Sequence, residues 1–173
     1  LQESAKSSSK MAKLVSSIII AYLLITSSEK TLSKEVPFQT CDKPSGRLNS
    51  VDVTPCNGNP CAFKRGTNET ITVTFTPNEV VSKGKILLYA KLVLGWIELS
   101  LRNPNICEGY GLKCPLAKGV REELSVTERV PQVLPSSTRE VKAKLVDQNG
   151  RTVVCGIITV KITRNGNAYI DFE

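Results

Sequence analysis

An all-β sandwich closed by disulfides is the fold class this sequence predicts, and three observations carry that prediction. The stretch "NETITVTFTPN" (68–78) alternates strictly, with Ile71, Val73 and Phe75 on one face and Thr70, Thr72, Thr74 and Thr76 on the other. A period of two is the signature of a strand with one wet face. No stretch after residue 28 has the spacing of a convincing amphipathic helix. Six cysteines, an even number, lie between positions 41 and 155. In a small exported chain such a set forms a disulfide framework.

The first element is a leader. From Met11, "MAKLVSSIIIAYLLITSSEK" has a basic start at Lys13, an apolar stretch from Leu14 to Ile25, and then small residues. This is the layout of a secretory signal peptide cleaved after Ser28. The apolar run is about 12 residues, short of the roughly 20 that a spanning helix needs. Residues 1–10 precede the start methionine and read as upstream sequence. Residues 1–28 are therefore set apart, 29–164 form the folded domain, and 165–173 form a C-terminal tail.

Strands follow in order. "SVDVTPC" (50–56) alternates and is β-branched, and Asn57-Gly58-Asn59-Pro60 is turn punctuation. The strand at 68–76 stops at Pro77-Asn78. "GKILLYAKLVLGWIELSL" (84–101) is too long and too apolar for one surface strand, so Gly95 is expected to split it or to mark a bulge. "RNPNIC" and "EGYGLKC" read as loops. "REVKAKLVD" and "RTVVCGIITVKI" flank Asp147-Gln148-Asn149-Gly150, a hairpin connection. Both faces of the last strand are largely apolar, which predicts a position inside a sheet between two packed layers. Six or seven strands at this spacing make a β-sandwich.

Six cysteines permit 15 pairings. Cys56–Cys61 and Cys107–Cys114 are close enough to close small loops, which leaves Cys41 and Cys155 to tie the start of the domain to its last strand. A zinc site lacks ligands, because the chain has no histidine and no C-x-x-C pair. Thiol redox chemistry fails on the same missing pair.

The absence of histidine also removes Ser-His-Asp and Cys-His catalysis and histidine pH switches. No nucleotide or hydrolase fingerprint is present, so no catalytic residue, metal or cofactor is expected. Glu122 and Glu123 are adjacent and face opposite sides of a strand, and Glu98 reads as an outward charge. The net charge of +7 falls to +5 once Lys6, Lys10, Lys13 and Glu3 leave with the leader. The remaining basic residues are scattered, and only nine aromatics exist to stack bases. No nucleic-acid partner is expected; a mildly basic surface suits anionic lipid headgroups better. Asn68-Glu69-Thr70 is an N-glycosylation acceptor. The crowd of apolar residues from Leu87 to Leu101 fits either a plain core or a sandwich with a cavity.

"VDVTPCNGNPCAFKRG" followed by "ITVTFTPNE", "NPNIC…KCPLAKG" and a closing hairpin near Cys155 resembles the Niemann–Pick type C2 proteins. These belong to the ML (lipid-recognition) domain family, which includes the group-2 mite allergens. The match covers about residues 38–163. The resemblance implies an immunoglobulin-like two-sheet sandwich with an apolar cavity between the sheets and the same three disulfides. It also implies that a sterol or acyl chain slides between the sheets.

Counted from Cys107, Leu99 matches a lining aromatic of the family's sterol carriers. Counted from Cys114, Val130 and Leu134 match two further lining positions, the second also aromatic there. Trp96 is expected near the mouth, with Val93, Ile97, Val126 and Val133 as further lining. "GWIELSL" replaces the family's proline-rich "GVPVPFP" type of strand, and aliphatic residues replace both aromatics. The expected protein is a monomeric, secreted or lysosomal-lumen carrier that moves sterol between membranes or to a membrane receptor. The alternative expectation is a carrier of fatty acids or semiochemicals, or a recogniser of microbial lipids.

Overall fold

The computed structural model describes residues 32–41 and 43–164. The leader and the tail 165–173 lie outside the described residues. Among the described residues ten strands are present: β1 (Lys34–Glu35), β2 (Gln39–Thr40), β3 (Arg47–Thr54), β4 (Cys61–Lys64), β5 (Asn68–Thr76), β6 (Gly84–Leu92), β7 (Gly95–Leu99), β8 (Glu122–Arg129), β9 (Ser137–Asp147) and β10 (Thr152–Thr163). They form two sheets. The first has the order β1-β3-β5-β8; the second has β2-β10-β9-β6-β7, with β4 pairing β10 in parallel.

Each strand's inner stripe follows from its sequence. In β5 the threonine face is half-buried, with Thr74 buried outright, and is zipped to β8 by hydroxyl pairs, Thr70 with Thr127 and Thr72 with Ser125, each at 2.8 Å. The opposite face carries Phe75, which is fully buried. In β3, Leu48 and Val51 both point inward although they are three residues apart. A register shift between Leu48 and Ser50 supplies the extra residue that keeps them on one face. Gly95 opens β7 with φ of +122°, a conformation L side chains rarely adopt, so the apolar run breaks into two strands there.

β10 is central, with β9 on one side and β2 and β4 on the other. The expectation of two packed layers holds only for its first half. Val153, Val154 and Cys155 are all buried, but beyond them Thr159 and Lys161 are exposed while Ile158, Val160 and Ile162 stay buried.

Three disulfides are formed: Cys41–Cys155, Cys56–Cys61 and Cys107–Cys114, with Cα–Cα distances of 5.2, 5.0 and 5.4 Å. Cys56–Cys61 runs from the end of β3 in the first sheet to the start of β4 in the second. Cys107–Cys114 closes a cap over one end of the sandwich. Beneath that cap Phe75, Val81, Ile106 and Leu116 are completely buried. Val81 and Leu116 exchange backbone hydrogen bonds of 3.1 and 2.9 Å. The opposite end carries the 65–67 turn, the β6–β7 turn and the segment 130–136, which the register places together.

Candidate functional site

The inner faces of the two sheets do not fill the space between them. A cavity of about 150 Å³ remains, bordered by both buried clusters of the core. Val51, Ile71, Val73 and Leu124 form its wall on the first sheet; Ile86, Leu88, Val141 and Ile158 form it on the second. Such a hydrocarbon surface favours an apolar guest by about 25 cal/mol for each Å² removed from water. Pockets for drug-sized ligands span about 300–1,000 Å³. A guest of sterol size therefore requires the sheets to part or side chains to turn, whereas a space of about 150 Å³ admits a benzene-sized one.

Leu99, Val126, Val130 and Leu134 lie on the cavity wall. Three other expected lining positions, Val93, Ile97 and Val133, do not, and neither does Trp96, expected near the mouth; each has a geometric reason. Val93 occupies the two-residue turn between β6 and β7 and is 94% exposed; Val133, in the 130–136 segment, is 88% exposed. The alternation that turns Leu99 inward turns Trp96 outward. There the Trp96 ring lies 4.3 Å from the ammonium of Lys142, a cation–π contact that Tyr89 shares at 4.8 Å. Ile97 pairs with Ala90 and has inward parity, but it is 40% exposed and off the wall. Glu98 is exposed and pairs with Tyr89; Glu123 is exposed on β8. Asn68 is exposed at the first position of β5.

The sequence reading missed the polar groups on the wall. Glu69 continues the inward stripe of Phe75, Val73 and Ile71 and is only 5% exposed. Its Oε1 accepts the Thr67 hydroxyl at 3.1 Å and the Lys64 backbone N–H at 3.4 Å. Its Oε2 is buried with no partner among the described residues. Burial pushes this carboxyl above the usual glutamate range, although the bonds from Thr67 and Lys64 and the Lys64 charge pull the other way. Glu128 sits directly opposite on β8, also on the wall. From the second sheet Arg139 joins them: its Nη1 donates to the Lys91 carbonyl at 3.2 Å, and its Nε is buried without an acceptor among the described residues. The parity of β5, carried back two residues from Ile71, was the available signal for Glu69.

Among the described residues no group of three or more Cys, Asp or Glu side chains is arranged to hold a metal ion. A stapled two-sheet sandwich around an apolar, partly polar-ended cavity defines a class of binding domain with its pocket between the sheets. The chain belongs to the ML domain family, whose model matches residues 35–162. It is 32% identical over 145 residues to the NPC intracellular cholesterol transporter 2 of Sus scrofa, covering 82% of this chain and 95% of that protein. It is 31% identical over 122 residues to mite group 2 allergen Gly d 2.02 of Glycyphagus domesticus, covering 70% and 94%. In fold it is similar to a Niemann-Pick type C2 protein from the Japanese carpenter ant, with a TM-score of 0.68 and 24% identity over 73% of this chain and 99% of that one.

Proposed function

We propose that this protein is an exported lipid carrier that holds a sterol between its sheets and passes it from one membrane to another or to a membrane receptor. The observation that supports this most is the cavity wall, which is almost entirely hydrocarbon and is drawn from both sheets. Membership of the ML domain family and likeness to a protein named as a cholesterol transporter support the same reading. Three disulfides fit an oxidising compartment outside the cell or in the lysosomal lumen. The carrier acts as a monomer, meets anionic membranes through scattered lysines and arginines, and bears a glycan at Asn68. Leu99, Val126, Val130 and Leu134 contact the lipid.

Binding needs no covalent step; the gain is apolar burial against the cost of ordering the guest. A fluorescent sterol tests the reading directly. It should bind and be displaced by cholesterol but not by oleate.

A second reading is favoured by one observation. Leu99 and Leu134 are aliphatic on the wall, so no aromatic ring at these positions offers a flat face to a fused-ring guest. Displacement by oleate and not by cholesterol would favour a carrier of fatty acids, semiochemicals or microbial lipids.

A further inference from the structure

Among the described residues, two side chains on the cavity wall each keep a leftover hydrogen-bonding atom, and the two are of opposite kind. Glu69 has spent Oε1 on Thr67 and Lys64, and its buried Oε2 has none to accept. Arg139 has spent Nη1 on the Lys91 carbonyl, and its buried Nε–H has no acceptor among the described residues. Both residues line the same cavity. Strand register sets them at the same end. Arg139 pairs with Val160, Val160 with Cys61 of β4, and β4 leads through Lys64 to Glu69. Buried polar atoms without partners are rare in folded proteins and ask for an explanation.

The chemistry of possible guests separates them. A carboxylate only accepts, so it would suit Arg139 but set its charge against Glu69 and Glu128. An ammonium only donates, so it would suit Glu69 but face Arg139 and the neighbouring Arg129. A bare hydrocarbon leaves both atoms as they are. A hydroxyl is one donor and two acceptors, and it matches both.

We propose that Glu69 and Arg139 form an anchoring site for an alcohol group at the polar end of the cavity, so that the guest is a hydroxyl-bearing lipid oriented with its hydroxyl toward Glu69. This rests on the carrier reading above and adds to it the class of headgroup and the direction of the guest. It assigns Glu69 as a specificity-determining residue.

The test uses the full disulfide-bonded protein and two matched lipid pairs, cholesterol with 5-cholestene and oleyl alcohol with 1-octadecene, together with oleate. Within whichever scaffold binds, the alcohol should bind at least about tenfold more tightly than its deoxy partner, as expected for a hydrogen bond to a charged group. Glu69→Leu should bring that ratio to about one without weakening the hydrocarbon. Glu69→Gln, which keeps an acceptor oxygen, should retain most of the preference, a rescue that a purely structural role would not give. A ratio near one in the wild type, a ratio that survives Glu69→Leu, or tighter binding of oleate than of oleyl alcohol would each overturn the anchor while leaving a lipid carrier. Failure of every lipid to bind the wild type would overturn the carrier reading and the anchor with it.

Discussion

The two ends of the sandwich each bury a carboxylate and treat it in opposite ways. At the capped end Asp147, 5% exposed, accepts the backbone N–H groups of Asn149 and Arg151 at 2.8 Å each. It also takes the Arg151 guanidinium at 3.0 and 2.8 Å, and that guanidinium reaches on to Glu79. Burial alone would push Asp147 up, but these bonds outweigh it and hold its carboxyl below the usual aspartate range. At the polar end Glu69 is as deeply buried but half satisfied, and burial wins. The difference separates structure from function. A carboxylate with all its bonds made within the chain fixes a turn; one with an oxygen to spare has something to offer a guest.

Four expected outcomes would break or sharpen that contrast. The largest is on the long-range staple beside the core. Replacing Cys41 and Cys155 with serine opens a loop of 114 residues, and should cost roughly 4–5 kcal/mol. An unchanged melting temperature would show that the bridge does not hold the domain. Next, Ile106→Ala under the cap should cost about 2–5 kcal/mol, because it hollows a fully packed cluster. Lipid affinity should stay as it was; a large loss of binding would mean that the cap takes part in the site.

Smaller effects come from the two carboxylates. Asp147→Asn should cost about 1–2 kcal/mol at neutral pH, as for a weakened turn cap. Its folded pKa is lowered, so its stabilisation is present above the unfolded value of about 3.9 and is lost as pH falls through the folded value. Melting curves across that window should show the variant losing less stability to acid than the wild type. Glu69 has the opposite sign. Its folded pKa is raised, so its contribution is present below about pH 4.3 and is lost as pH rises through the folded value. Glu69→Gln should therefore melt slightly higher near neutral pH and show a flatter profile between acid and neutral. A variant that melts lower throughout would mean that the ionised carboxylate is satisfied in the native state.

Much of this was legible in the chain, for physical reasons that differ by element. β5 declares itself because threonine alternates with aliphatic residues, and the Gly95 break and the Asp147–Gly150 hairpin follow from backbone chemistry. The cysteine spacings gave all three bridges. β1 and β2 have two residues each and β4 has four, too few to show a period. β8 is masked by its charges: Leu124 and Val126 alternate inward between Glu122, Glu123, Glu128 and Arg129. Val93 and Val133 are exposed and off the wall, a placement hydrophobicity alone does not give, since it does not tell an inner wall from a turn. Glu69 was concealed inside a glycosylation acceptor, where attention goes to its exposed neighbour Asn68.

Only one of the three bridges, Cys56–Cys61, joins strands of different sheets, and it does so where β3 hands over to β4. At the far edges, β7 of one sheet passes to β8 of the other through the segment 100–121, where Cys107–Cys114 closes a loop within that segment rather than joining the two strands. The two sheets are thus tied by sulfur at a single point, beside the cavity rather than across it. A reductant strong enough to cut this single stitch would untie the sheets there without removing a single lining side chain.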